Sequence, residues 1–109
     1  MTDASPTAPS PLDRRAARRV SLATQVRTVA GGDTIVGYTR DISMGGVFIE
    51  TESPAAKGAE VMLRFKLREP GPILEARAVV VYALEAEGMG LRFLDPPADF
   101  RRALEEFVG

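Results

Sequence analysis

Four arginines crowd into six positions near the start of the chain, at Arg14, Arg15, Arg18 and Arg19. A guanidinium group presents a planar fork of N–H donors that matches phosphate oxygens, and its flat face stacks on nucleobases. Several such groups in a short segment could therefore close around a compact anion that carries phosphates and bases. Taken alone, however, the cluster is more simply interpreted as a solvated basic run at the start of a domain.

A second group of chemically capable residues occupies 41–46, with the sequence "DISMGG". Asp41 can accept hydrogen bonds from a guanine edge or from arginine, and Ser43 can bond a phosphate oxygen. Glycine lets a backbone approach a ligand more closely than other residues allow. Alone, this stretch is also typical of a bulged turn that an Asp or Ser side chain caps.

The composition excludes most catalytic chemistry. The 109 residues include no Cys and no His, which removes disulfides, thiolate nucleophiles, Cys/His zinc sites and a histidine base. Ser43 therefore has no base to activate it. The paired glutamates along the chain are better explained as solvated surface than as a metal or glycosidase site. We predict a protein that is not an enzyme and carries no metal or cofactor.

The charge balance is uneven along the chain. Residues 1–40 carry six Arg and three Asp, whereas residues 41–109 carry eight Lys or Arg and twelve Asp or Glu. The formal net charge is −1, so no whole-protein field attracts nucleic acid or an anionic membrane. No apolar run is long enough for a membrane span, and the N-terminus does not resemble a secretory signal. We expect no nucleic-acid partner, no membrane insertion and a cytoplasmic location.

These residues must be positioned by a small β-rich domain. Residues 1–11 are rich in Pro, Ser and Thr and are predicted to be a disordered tail, which leaves 12–109 as one domain. Alternating apolar residues and turn signals predict six strands. Their predicted bounds are 20–29, 34–42, 47–51, 60–67, 73–84 and 89–94.

The period then changes to that of a helix. Asp95-Pro96-Pro97 predicts a helix start with Asp95 as the N-cap. One apolar face follows at helical spacing, formed by Phe100, Ala103, Leu104 and Phe107. Six short strands favour an all-β fold, a small six-stranded antiparallel β-barrel, because closure removes exposed edges. The C-terminal helix is expected to pack its apolar face against this barrel.

Together the two polar groups form a recognisable pair. Arg15-x-x-x-Arg19, followed by a strand, a hairpin and Asp41-x-Ser43-x-x-Gly46, resembles the PilZ domain family of bacterial cyclic di-GMP receptors. The signature of that family is RxxxR followed by (D/N)xSxxG. Either half alone is a weak signal, whereas both in this order and on this strand pattern are fairly specific.

The surrounding sequence is similar to the family as well. "DRRAARRVSL" (13–22) resembles its acidic-Arg-Arg start, and "DISMGGVFIET" (41–51) its continuation into an apolar strand. "GMGLRFLD" (88–95) is similar to the glycine-bounded last strand before a terminal helix. The resemblance covers about residues 12–108.

The resemblance implies binding of cyclic di-GMP without catalysis. It assigns Arg15 and Arg19 to the phosphates and guanines, with Arg14 assisting and Arg18 as a bystander. The doubled arginines leave two registers for RxxxR, and we favour the later one because Arg19 directly precedes the first strand. Closure of this arginine clamp would signal, through a conformational change, to a downstream protein partner.

The second motif receives its roles in the same way. Asp41 is expected to bond a guanine Watson–Crick edge or to hold an arginine in place. Ser43 is expected to bond phosphate or guanine, and Gly46 to let the backbone approach the ligand. Tyr82 stands where the family often has Trp, and a role in the core is the simpler interpretation.

Two alternatives remain open at this stage. The chain could be a nucleic-acid or protein-interaction β-barrel whose basic arm touches phosphates nonspecifically, which leaves the Asp-x-Ser-x-x-Gly element unexplained. It could also be a PilZ-like adaptor that has lost ligand binding.

Overall fold

The computed structural model describes residues 18–109. The predictions for Arg14, Arg15, the tail at 1–11 and the domain start at residue 12 lie outside the described residues. The elements are seven strands and one helix: β1 (Val20–Ser21), β2 (Gln25–Ala30), β3 (Asp33–Ile42), β4 (Gly46–Glu50), β5 (Glu60–Phe65), β6 (Leu74–Leu84), β7 (Gly88–Leu94) and α1 (Ala98–Val108).

The strands form a closed antiparallel barrel, as predicted. Six of them pair in a ring in the order β3–β2–β5–β6–β7–β4, and β4 returns to pair with β3. The short strand β1 is an additional strand, paired with the end of β3. Gly31 and Gly32 connect β2 to β3 in a tight hairpin, and Gly31 adopts the left-handed φ of 62° that glycine tolerates best.

The interior of the barrel is apolar because alternate residues of each strand point inward. β5 shows the period clearly, with Val61, Leu63 and Phe65 buried and the residues between them exposed. Helix α1 contributes Phe100, whose ring lies 5.0 Å from that of Phe93 in an edge-to-face arrangement. Burial of each large apolar side chain of this kind stabilises the fold by about 1.5–3 kcal/mol.

The predicted apolar face of the helix is largely confirmed. Phe100 and Leu104 are each 1% exposed, while Ala103 and Phe107 are partly buried against the core. Val108 also packs inward. At 11 residues, α1 is neither long nor apolar enough to span a membrane, and the part of the chain that the structure describes contains no other helix.

The first predicted strand is wrong in one respect, because 20–29 is interrupted between β1 and β2. The interruption is filled by a side chain of β3: the Thr39 hydroxyl donates to the Leu22 carbonyl at 2.5 Å and accepts from the Thr24 N–H at 3.0 Å. Two backbone hydrogen bonds still cross the gap, from the Leu22 N–H to the Arg40 carbonyl at 3.1 Å and from the Thr39 N–H to the Thr24 carbonyl at 2.9 Å. The regular ladder is nevertheless broken, which gives seven strands where the alternation predicted six.

The predicted helix start is also wrong. Asp95 has a φ of 49°, which is unsuitable for an N-cap residue, and α1 begins at Ala98, two residues later than predicted. Pro97 is the N-cap, with an extended conformation and no side-chain cap. The physical reason is the Pro-Pro pair, since a residue that precedes proline is disfavoured in the helical region.

Candidate functional site

A β-bulge in β3 creates the surface on which the predicted site residues lie. Thr39 pairs with Ile49, but the next paired residue is Asp41, opposite Phe48, so Arg40 is the extra residue. Thr39 and Ile42 remain buried, while Arg40 and Asp41 both point outward. In an unbroken ladder Asp41 would face the core, because successive side chains alternate. The bulge therefore turns the Asp41 carboxylate to the outer surface.

Arg19 reaches this carboxylate across 22 positions in sequence. Its Nε donates to Asp41 Oδ1 at 2.5 Å, and one of its terminal nitrogens lies 3.4 Å from Ser43 Oγ. The Arg19 side chain is 43% exposed and that of Asp41 28%, so the pair lies at the surface of the barrel. The structure thus brings together one arginine of the first motif and two residues of the second.

Ser43 is buried and shapes the turn between β3 and β4. Its side chain is 2% exposed, and Oγ accepts from the N–H groups of Gly45 and Gly46 at 3.2 and 3.3 Å. The Ser43 backbone N–H donates to the Gly46 carbonyl at 2.8 Å. The hydroxyl therefore acts as a turn cap and at the same time faces the Arg19 guanidinium.

Gly46 is required by the packing of the barrel. A Cβ atom at this position would overlap the carbonyl oxygen of Leu91 on β7, and it would lie 3.3 Å from the Arg92 Cα. These neighbours are backbone atoms, which cannot move without separating β4 from β7. The close approach of two strands is a structural reason for glycine here, and the predicted approach of a ligand stays a prediction.

Arg18 points away from this site. Its terminal nitrogens lie beside Gly109 at the end of α1, 3.7 Å from the position of a Cβ built there. Cations are favourable near the C-terminus of a helix because its last carbonyl groups carry partial negative charge. The two neighbouring arginines thus have different surroundings: Arg19 faces the second motif and Arg18 the helix.

Arg40, the extra residue of the bulge, is a further cation on this surface that sequence reasoning missed. The Arg40 guanidinium carbon lies 4.1 Å from the centroid of the Phe48 ring, and Arg40 Nε donates to Glu50 Oε2 at 3.0 Å. Phe48 is only 4% exposed, yet it does not belong to the cluster inside the barrel. The register of Tyr38–Glu50 and Thr39–Ile49 already leads Arg40 toward Phe48, and the bulge adds Asp41 opposite the same ring.

Tyr82 extends this outer surface. Its ring centroid lies 6.1 Å from that of Phe48, and its ring covers Gly90, where a Cβ would overlap it. The side chain is 47% exposed, so the interpretation of Tyr82 as a core residue is wrong. Regular alternation from Val80 would turn Tyr82 inward. The register of β6 shifts between Val80 and Tyr82, and this part of the strand therefore lies on the outside.

The arrangement is suited to binding an anionic, base-containing ligand. Two guanidinium groups, a carboxylate and two aromatic rings meet on one outer surface of β3, β4 and β6. Within residues 18–109, no group of three or more acidic side chains gathers closely enough to hold a metal ion.

The comparisons with known proteins agree with this architecture. Residues 13–109 match the family model of the PilZ domain. The comparison with curated protein sequences finds no match. Among solved structures, the Bacillus subtilis inhibitor of motility MotI/DgrA is similar with a TM-score of 0.73 at 21% identity. That alignment covers 83% of this chain and 47% of MotI/DgrA, so the chain spans about half of that protein.

Two isolated domains are covered almost completely. The PilZ domain of CeSA from a cellulose-synthesizing bacterium aligns with a TM-score of 0.68 and 22% identity, over 84% of this chain and 95% of the domain. The PilZ domain of YcgR from Escherichia coli, solved with c-di-GMP, aligns with a TM-score of 0.71 and 16% identity. That alignment covers 83% of this chain and 85% of the YcgR domain.

Proposed function

The chain belongs to the PilZ domain family, and on that premise we propose that it is a receptor for cyclic di-GMP. The observation that carries the proposal is the contact of Arg19 with Asp41 and Ser43, which unites the two halves of the family signature. The YcgR domain of the same fold was solved with this ligand. The proposed function is reversible binding, with no catalytic step.

Asp41 can serve two partners at once. Arg19 uses Oδ1, and a carboxylate offers roughly four acceptor positions on its two oxygens. We assign the remaining positions to the N–H donors on the Watson–Crick edge of a guanine. Asp41 then fixes the Arg19 guanidinium and recognises the base together, which joins the two roles predicted for it.

Arg19 has donors left for the ligand phosphates. Its Nε donates to Asp41 and one terminal nitrogen donates to Ser43, so three of its five N–H groups have no partner among residues 18–109 and are assigned to phosphate oxygens. This contact supports the register in which Arg15 is the partner of Arg19 in the motif. Arg15 and Arg14 complete the proposed arginine clamp, with Arg14 in an assisting role.

Ser43 and Gly46 support the site in different ways. The Ser43 hydroxyl caps the turn and faces Arg19, so its predicted contact with phosphate or guanine requires the ligand to replace one of these partners. Gly46 contributes by allowing β4 to lie against β7, so that the turn 43–46 has a defined shape. We also assign to Gly46 the predicted role of letting the backbone approach the ligand.

The expected affinity follows from these groups. Charge-assisted hydrogen bonds contribute about 1.5–3 kcal/mol each, and base stacking adds about 1–3 kcal/mol per base. Ordering the arginine segment around the ligand costs about 2–5 kcal/mol. Taken at mid-range, three arginines and two bases leave about 7 kcal/mol, which corresponds to a dissociation constant in the low micromolar range. Such binding suits a reversible second-messenger receptor, whose rearranged arginine segment a downstream protein recognises.

Isothermal titration with cyclic di-GMP, and with GMP for comparison, tests the proposal. Arg19→Ala and Asp41→Ala should each weaken binding at least tenfold. Arg64→Ala is the matched control, because Arg64 forms a similarly exposed ion pair with Glu75 on another part of the barrel. Equal weakening by Arg64→Ala would indicate a nonspecific effect of charge.

The same titration separates the two alternatives. A domain that has lost ligand binding gives no heat with cyclic di-GMP in the wild type. A nonspecific nucleic-acid barrel binds a single-stranded oligonucleotide at least as tightly as cyclic di-GMP, with an affinity that falls steeply with salt. Either result refutes the receptor function.

A further inference from the structure

Arg40 lies on the same outer surface as Asp41 but belongs to neither half of the signature. The β-bulge places both side chains opposite Phe48, on Cα atoms that are about 3.8 Å apart. Both side chains therefore leave the strand on the same outer face, at adjacent positions.

The Arg40 side chain is held in a fixed orientation. Phe48 covers one face of the guanidinium group at 4.1 Å, and Glu50 binds Nε at 3.0 Å. The side chain nevertheless remains 49% exposed. Among the hydrogen bonds of residues 18–109, the one to Glu50 is the only one that the Arg40 side chain makes. One flat face and the terminal N–H groups are thus available to a ligand.

This arrangement differs from an ordinary surface ion pair. Arg64 and Glu75 form a pair with nearly the same Nε–Oε2 distance, 2.9 Å, and similar exposure, but without an aromatic ring beneath the guanidinium. The ion pair alone therefore does not distinguish Arg40 from Arg64. The ring beneath Arg40 holds the guanidinium group over the outer surface of the barrel, and a guanidinium group can stack on a planar base.

We propose that Arg40 is a further ligand-binding residue, which stacks its guanidinium group on a guanine of the bound cyclic dinucleotide. Phe48 is the platform below the guanidinium and Glu50 is a positioning residue that fixes its rotation. The inference rests on the proposed function, since it assigns a residue of that same site. It makes the planarity of Arg40, and not merely its charge, the property that matters for affinity.

Titration of the full chain with cyclic di-GMP tests this assignment through Arg40→Ala and Arg40→Lys. Lysine retains the positive charge but lacks the planar group that stacks. Both variants are therefore expected to raise the dissociation constant about tenfold, within the range for the loss of one stacked base. Arg64→Ala should remain within twofold of the wild type. Thermal unfolding of each variant verifies that the barrel is intact. If exposure of Phe48 in Arg40→Ala destabilises the barrel, Arg40→Lys still covers the Phe48 ring with its side chain.

The outcomes distinguish the inference from the proposed function. If the wild type binds and Arg40→Ala binds within twofold of it, Arg40 does not contact the ligand and the inference is wrong. If Arg40→Lys binds like the wild type while Arg40→Ala does not, the contribution is charge and the stacking assignment is overturned. If the wild type itself does not bind, the receptor function fails and the assignment of Arg40 fails with it.

Discussion

Replacement of Gly46 by alanine should lower the free energy of unfolding, because the added methyl group would overlap the backbone of β7. The Cβ would overlap the Leu91 carbonyl oxygen and lie 3.1 Å from its carbon. Since all of its neighbours belong to the backbone of β7, β4 must move away from that strand. The nearby hydrogen bond from the Phe93 N–H to the Gly45 carbonyl, 2.9 Å long, is the first that this movement stretches.

The magnitude combines two effects. Overpacking of a close-packed site costs about 1–3 kcal/mol, and weakening one backbone hydrogen bond adds about 1 kcal/mol. We expect Gly46→Ala to lower the free energy of unfolding by about 2–4 kcal/mol. For a domain of this size each kcal/mol corresponds to about 4–8 °C in Tm, so the expected decrease is roughly 8–30 °C.

Urea denaturation followed by circular dichroism measures this change, with Gly32→Ala as the control. A Cβ at Gly32 meets no atom within 4 Å, and its φ lies outside the left-handed region. Gly32→Ala should therefore leave the free energy of unfolding within about 0.5 kcal/mol of the wild type. Equal stability of the two variants would refute the packing argument. The last glycine of the signature would then need to be explained by ligand contact.

Three further predictions concern the core, the helix and the neighbouring arginine. Thr28 is fully buried and its Oγ1 has no hydrogen-bond partner among residues 18–109. Thr28→Val should therefore raise the free energy of unfolding by about 1 kcal/mol. A lower free energy of unfolding, measured in urea, would contradict this. Leu104→Ala should lower the free energy of unfolding by about 3 kcal/mol, because the buried face of α1 would contain a cavity. An unchanged denaturation midpoint would show that α1 does not stabilise the barrel. Arg18→Ala should leave the affinity for cyclic di-GMP within twofold of the wild type by titration, because Arg18 lies at the end of α1; a tenfold loss would favour the earlier register of the arginine motif.

The sequence predicted the features that depend on local periodicity. The alternation in β5 and the spacing of Phe100 and Leu104 in α1 each follow from burying one face of a single element. The closed barrel followed from the number of short strands and their need to cover edges. The grouping of Arg19 with Asp41 was expected only through the family resemblance, since they are far apart in sequence.

The features that were missed depend on partner strands. The bulge at Arg40 and the shift near Tyr82 are changes of register, and a register is a property of two strands together. Likewise, the break before β2 requires the Thr39 hydroxyl from the neighbouring strand. These irregularities turn Asp41 and Tyr82 outward, so two positions that shape the candidate site are ones that periodicity misassigns.

Titration of the ¹⁵N-labelled protein with cyclic di-GMP, followed through backbone amide chemical shifts, tests the central claim most directly. It reports both whether the ligand binds and where. We predict saturable shifts that are largest at Arg19 and in the turn 41–46, with the amides of Arg27 and Arg64 on another part of the barrel nearly unchanged. Absence of shifts at ligand concentrations of about 100 µM, well above the expected dissociation constant, would contradict the account. Shifts centred on Arg27 and Arg64 would contradict it equally.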